Sequence, residues 1–301
     1  MASSLDQIGP ITKTVDDAKI LFDAIKGYDE RDSTSVKLNS KSEIRNSKQI
    51  PNSTFRQGRS AAKAELQIKN TKIGIPKEFF IKGTDKNVEK SIKDAIKAFE
   101  KKGAKIVDVS LPHVSYALAV YYIIVPSEVS SNLARFDGIK YGYSAIGDKQ
   151  LAISDLYEVY TKSRASGFGD EAKRRIMLGS FALSSGYYEA YYLKAKKVQT
   201  KIKEEFEEVF KKVDCLITPT SPTIAFKIGE KTDNPLTMYL ADIFTVPVNI
   251  AGLPAISIPC GLADNLPVGL QIIGPQFSDE KILDFASFYE RNSQHNLRCT
   301  I

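Results

Sequence analysis

The segment Lys72–Leu111 constrains the fold more than any other part of the chain. KIGIP at Lys72–Pro76 is short and rich in β-branched residues, which is how a buried strand reads. Val88, Ile92, Ile96 and Phe99 then recur at helical spacing, and Gly103 stands where a helix closes. Lys105–Leu111, with Ile106, Val107, Val109 and Leu111, reads as a second strand. Strand, helix and strand in succession make a βαβ unit, whose strands lie parallel and whose crossover is right-handed. A parallel sheet needs cover on both faces. The chain is therefore expected to be α/β, with a mixed, twisted sheet between two layers of helices.

A second pair of strands is expected at Ala255–Pro259 and Val268–Ile273, with Gly261–Pro267 (GLADNLP) as a short reversal between them. Just before it, Asn249–Pro254 (NIAGLP) lets the backbone pass close to something, because Gly252 has no Cβ. These residues read as a core hairpin with its approach loop; the alternative is a loop that faces a ligand.

Around these units, Thr14 is placed to cap a helix carrying Val15, Ala18, Leu21, Phe22 and Ile25 on one face. Tyr116–Leu133 reads as helical and aromatic-rich. Glu171 opens a long helical region expected to break at Ser184–Gly186, and Cys215–Thr218 (CLIT) is a strand. Ser278 is placed to cap a last helix through Ile282, Phe285 and Tyr289. No internal repeat is visible; the length allows one large domain or two small ones, with a polar connector at 29–70 and a tail at 292–301.

The formal charge is 42 − 36 = +6, and residues 36–70 hold eight Lys/Arg and two Glu, which is the whole excess. The basic character belongs to one polar segment and not to a nucleic-acid-binding surface spread over the fold. A solvated loop is the plain reading of that segment; an arm that touches nucleic acid is the alternative. Cys215, Cys260 and Cys299 are few and widely spaced, which suits reduced thiols in the cytoplasm. His113 and His295 are isolated, and no metal-ligand spacing is present. No apolar run reaches the roughly 20 residues needed to cross a bilayer, and MASSLDQIGP has no signal-peptide pattern.

Taken by themselves, the residues contain no complete catalytic constellation. There is no GxSxG elbow, HExxH or Walker loop. Ser184-Ser185-Gly186 lies inside a helical pattern beside tyrosines and reads as a helix break, not as a nucleophile.

Seven segments nevertheless carry a specific pattern. They are Ala2–Arg31 (with ASSLDQIGPITKTVDDA), Pro126–Tyr143 (PSEVSSNLARFDGIKYGY), Ala165–Tyr192 (with KRRIMLG and SSGYYEAYY), Cys215–Lys231 (CLITPTSPTIAFKIGEK), Val246–Pro254 (VPVNIAGLP), Ala255–Gly261 and Leu266–Gly274 (LPVGLQIIG). Their content and order resemble the C-terminal part of the amidase signature family, and within it the branch that serves tRNA-dependent amidotransferases. The resemblance runs from Ala2 to about Tyr289. It implies that residues 1–301 form one incomplete amidase domain, a partial amidase-signature fold without its N-terminal catalytic portion. Family members use a Ser–cisSer–Lys core in a Gly/Ser-rich block upstream of the position of Ala2. Nothing like GGSSGGS occurs in these 301 residues, so no residue is assigned as catalytic, and the chain by itself is expected to be inactive.

The resemblance also implies a substrate, glutamine. Arg175 in KRRIMLG resembles the arginine that receives the α-carboxylate, and Asp242 in MYLADIFTVP the aspartate that receives the α-ammonium. Tyr121 in the YYII run resembles a pocket tyrosine. The chemistry suits the residue types, since an arginine fork matches a carboxylate and an aspartate accepts from an ammonium. The implied partners are the B and C subunits of a heterotrimeric amidotransferase, a separate N-terminal half, and tRNA held mainly by the B component. ATP and magnesium are expected on that component, and no cofactor in this chain. Two other functions stay open: a non-catalytic remnant that binds an amino acid or a partner, and an amidase for another small amide.

Overall fold

The computed structural model describes residues 1–37, 68–147, 153–231 and 235–293. Most of the connector, the tail beyond 293, Cys299 and His295 lie outside the described residues. In chain order the elements are α1 (Val15–Ile25), β1 (Lys72–Pro76), α2 (Lys86–Lys101), β2 (Lys105–Val109) and α3 (Ala117–Asn132). Then come α4 (Leu156–Gly167), α5 (Asp170–Ala182), α6 (Lys194–Phe210) and β3 (Cys215–Pro219). The chain continues with α7 (Pro235–Leu240), α8 (Val246–Ala251), β4 (Ala255–Ala263), β5 (Leu266–Ile273) and α9 (Asp279–Asn292).

The strands form one mixed sheet in the order β2-β1-β3-β5-β4. β1 runs parallel to both β2 and β3, with Ile73 opposite Ile106 on one side and Cys215 on the other. β5 is antiparallel to β3 and β4, with Ile272 opposite Ile217 and Ile256. The βαβ unit is present as its residues require. Asp85 caps α2 by accepting from the backbone N–H of Asn87 at 2.7 Å and Val88 at 3.3 Å. Gly103, at φ +95°, ends the turn that follows α2.

Strand alternation sorts the apolar side chains onto two faces. Ile73, Cys215, Ile217, Leu270 and Ile272 point to one face, where they join Val88, Ile92 and Phe99 of α2 and Ile282, Phe285 and Tyr289 of α9. Leu216, Val107, Val109 and Ile273 point to the other and meet α3, α6 and α8. Position 74 faces the same side, and glycine suits it because Leu216 occupies the room a side chain would need. A Cβ there would sit 2.6 Å from Leu216 Cδ2.

Three local expectations change. The hairpin reverses at Asp264 and Asn265, both with positive φ (+49° and +62°). Two such residues form the tight turn that suits the twist of antiparallel strands, so Gly261–Ala263 and Leu266–Pro267 are strand and not loop. Gly252 is present for its left-handed φ of +69° at the end of α8, where nothing crowds the position of a Cβ; no close approach is involved. Ser278 stands at the start of α9 without capping it, because its hydroxyl donates to the Pro275 carbonyl at 2.6 Å. The helix break near Ser184–Gly186 is present, between α5 and a wide helical turn at Glu189–Leu193.

Candidate substrate-binding site

The site grows from one helix crossing. Pro126 lies inside α3. Its ring nitrogen has no proton, so the Tyr122 carbonyl one turn earlier lacks its helical donor. Gly179 of α5 passes directly over this place. A Cβ on Gly179 would fall 1.8 Å from the Pro126 carbonyl oxygen, so the two backbones touch and only glycine fits. One turn before each contact residue stand Tyr122 on α3 and Arg175 on α5. The crossing sets Arg175 over Tyr122, with the guanidinium carbon 5.9 Å from the ring centroid.

A third segment completes the cluster. Tyr239, near the end of α7, packs on Tyr122 with ring centroids 4.2 Å apart. Tyr121 meets Tyr122 edge-on at 5.2 Å, and its side chain acts on the Arg175 charge. Asp242 follows α7 by one short step, and the charge of Arg175 acts on its carboxyl. The structure thus brings Tyr121, Arg175 and Asp242 together from three separate stretches. It adds three residues the sequence analysis did not single out: Tyr122, Tyr239 and Glu171. Glu171 was legible as the acidic partner four residues before Arg175 on one helix face. Tyr122 adjoins Tyr121 in the same run, and Tyr239 had no signal of its own.

The electrostatics are uneven. Glu171 accepts from Arg175 Nε at 2.9 Å, pairs with the more exposed Arg174, and receives a long hydrogen bond of 3.4 Å from the Tyr239 hydroxyl. Burial works against the Glu171 charge, but the two arginines outweigh it and hold the carboxyl below its ordinary range. Burial likewise opposes the charge on Arg175, whose side chain is 17% exposed, yet Glu171 and Tyr121 keep it firmly cationic. Asp242 differs. It remains open to solvent, but protein packed beside the carboxyl desolvates it enough to raise its pKa, and Arg175 reverses only part of that rise. No described residue donates a hydrogen bond to its carboxylate. Burial pushes the Tyr122 hydroxyl far up, with Arg175 opposing and Asp242 adding to the rise, so that wall stays neutral.

What the cluster offers chemically is binding. It presents a guanidinium with one edge occupied by Glu171, an aspartate without a donor, and an aromatic wall. None of its six residues is a serine, cysteine or lysine. A small ligand with adjacent negative and positive groups matches it. Tyr121 also lines a cleft of about 350 Å³ together with Ala2, Leu5, Gln7, Val125 and Asn249. There Asn249 donates to the Leu5 carbonyl at 3.0 Å and Gln7 to the Leu253 carbonyl at 3.2 Å. Two of the quoted motifs, SSLDQIG and VPVNIAGLP, therefore meet beside the site. Among the described residues, no group of three or more His, Cys, Asp or Glu could hold a metal ion, and no helix is long and apolar enough to cross a membrane.

This mixed sheet, its two helical layers and its motifs place the chain in the amidase signature family; the Amidase family model matches residues 1–283. Within that family, several relatives about half identical to this chain share one name. The A subunit of the glutamyl-tRNA(Gln) amidotransferase of Thermodesulfovibrio yellowstonii is 55% identical over 97% of this chain and 56% of its own length. Its counterpart in Caldanaerobacter subterraneus is 54% identical over 96% and 55%. The crystal structure of the glutamyl-tRNA(Gln) amidotransferase A subunit of Thermotoga maritima superposes with a TM-score of 0.70 at 42% identity, covering 97% of this chain and 54% of that one. The chain spans about half the length of the curated relatives it matches.

Proposed function

We propose that this chain forms the glutamine-binding portion of the A subunit of a tRNA-dependent amidotransferase. Arg175 receives the α-carboxylate through the guanidinium nitrogens that Glu171 leaves open, Asp242 receives the α-ammonium, and Tyr121 closes the pocket beside them. The observation that supports this most is the convergence of Tyr121, Arg175 and Asp242, each chosen from a different motif, around one arginine charge. In this reading glutamine held here is hydrolysed by a Ser–cisSer–Lys core on an N-terminal half, and the chain alone does not turn it over. The ammonia is used by a partner B subunit, which carries ATP, magnesium and most of the tRNA contact, with a C subunit clamping the two.

Calorimetry on the 301-residue chain tests the binding step. L-glutamine is expected to bind. 4-Aminobutanamide, which lacks the α-carboxylate, should bind at least about tenfold more weakly, the scale of one charge-assisted contact. Equal affinity for the two would remove the role of Arg175. Absence of any heat with glutamine would overturn the reading.

A further inference from the structure

The site contains a cation and an anion that act on each other and yet do not pair. Asp242 lies one turn past Tyr239, its backbone N–H on the Tyr239 carbonyl at 3.2 Å, which sets it beside the wall that Arg175 lies over; the Arg175 charge acts on its carboxyl, but no hydrogen bond or ion pair joins the two. An arginine beside an unpartnered aspartate would ordinarily close onto it, because a two-pronged hydrogen-bonded pair is the strongest contact open to either group. Closure would consume the two groups a zwitterionic ligand needs. What holds Arg175 back comes from its own helix and from α3. Glu171, one turn earlier, takes the Nε proton at 2.9 Å, and the Tyr122 ring lies against the guanidinium at 5.9 Å. Tyr239 donates to the same Glu171 oxygen at 3.4 Å and stacks on Tyr122, tying the carboxylate to the aromatic wall.

We propose that Glu171 is a positioning residue that keeps Arg175 and Asp242 apart, so that both stay available to the ligand. The inference rests on the binding role given to Arg175 above for its ligand arm alone. The sign of the effect separates it from simple electrostatics. A carboxylate beside Arg175 repels the carboxylate of an incoming amino acid, so if Glu171 acted only as a charge, its removal would tighten binding. If it positions Arg175, its removal weakens binding. Arg174 pairs with the same carboxylate from a more exposed place and makes no hydrogen bond to Arg175 or Asp242, so it serves as a control for the charge around Glu171.

The test uses Glu171→Ala, Glu171→Gln, Glu171→Asp and Arg174→Ala in the 301-residue chain, each checked by a thermal melt. Two quantities are read: L-glutamine affinity by calorimetry, and the titration of the Asp242 side-chain carboxyl by carbon-13 NMR without ligand. The groups that face Asp242 and Arg175 are Tyr121, Tyr122, Tyr239 and Glu171. Glu171 is the one carboxylate among them, so it is the variable. Alanine and glutamine remove the same charge, but glutamine keeps an acceptor for Arg175 Nε. The expected result is that Glu171→Ala weakens glutamine roughly tenfold and drops the Asp242 midpoint clearly below that of Glu171→Gln, as Arg175 closes onto it. Glu171→Gln keeps near-native affinity, and Arg174→Ala changes neither quantity. Glu171→Asp keeps the charge but is one methylene short, so it moves toward the alanine result and replaces it if alanine unfolds. Equal midpoints and affinities for alanine and glutamine, or tighter binding by alanine, would overturn the inference. If the midpoints separate but the parent chain binds no glutamine, the positioning role stands and the proposed function falls. If the parent chain binds glutamine and the midpoints coincide, the reverse holds.

Discussion

On one face of the sheet, α2 turns Val88, Ile92, Ala95 and Phe99 to the strands and its lysines and glutamates to water. On the other, α3 buries Ala117, Val120, Ile124, Val125, Ser127 and Val129, which lie on several of its sides. The difference comes from depth. α2 is the outermost layer of its face, so one side meets solvent and the apolar stripe shows at helical spacing. α3 lies between the sheet-side core and α5, which crosses it at Gly179. A helix covered on both sides has no polar stripe, and its pattern carries no direction. The candidate site lies on the deeper side, in the seam between α3 and α5. The shallow face supports the sheet; the deep face supports the sheet and shapes a pocket.

This contrast can be broken by experiment. The largest effect is expected on the shallow face, where Ile92→Ala removes a fully buried side chain of α2. It should cost about 2–5 kcal/mol in denaturant unfolding and leave the glutamine Kd of the folded chain unchanged. Gly179→Ala on the deep face should cost about 3 kcal/mol, because the added methyl meets backbone that cannot step aside. Unlike Ile92→Ala, it should also abolish glutamine binding, since Arg175 and Tyr122 meet only through that crossing. If Gly179→Ala kept its affinity, or Ile92→Ala lost it, the assignment of the site to the α3/α5 seam would fail. Asp85→Ala, which removes the cap of α2, should cost about 1 kcal/mol without touching binding.

The same depth explains what could be read from residues alone. The βαβ unit was legible because each of its elements has a polar side or a turn residue at its end, as Gly103 shows. The hairpin strands were legible too, but their turn was placed too broadly. Asp264-Asn265 is a less familiar pair than Asn-Gly for two positive φ values, and Pro267 beside it reads as loop although it lies in β5. In the site, Arg175, Asp242 and Tyr121 came from motif resemblance and not from periodicity, and their convergence depends on contacts between distant segments. The Gly179–Pro126 contact joins residues far apart in the chain, and no local pattern announces it. Tyr239 enters only because α7 folds back onto α3. Glu171 was the exception, a helix-local partner of Arg175 whose meaning became clear once Asp242 was seen to lack one.

The smallest expected effect concerns Asp242 and runs opposite to the others. Desolvation holds its carboxyl above the ordinary value of 3.8, with Arg175 offsetting part of the rise. The folded state therefore binds the proton more tightly than the unfolded chain does. Stability from the protonated form is fully present below the unfolded pKa and is lost as pH rises through the folded one. Asp242→Asn removes that loss, so it should melt slightly higher than the parent at pH 7 and level with it below about pH 4. The margin is small because the carboxylate is open to solvent and well screened. Binding moves the other way. In the proposed binding mode the ligand's ammonium needs the ionised carboxylate, so parent affinity should fall as pH drops through the raised pKa, and the Asn variant should bind poorly at every pH. Thermal melts and calorimetry across roughly pH 4 to 8 read both. An Asn variant that melted lower at pH 7 with unchanged affinity would make Asp242 a structural residue. A variant that melts higher and binds worse would mark it as a group kept in an unfavourable setting for its ligand, as active surfaces on otherwise well-packed layers often are.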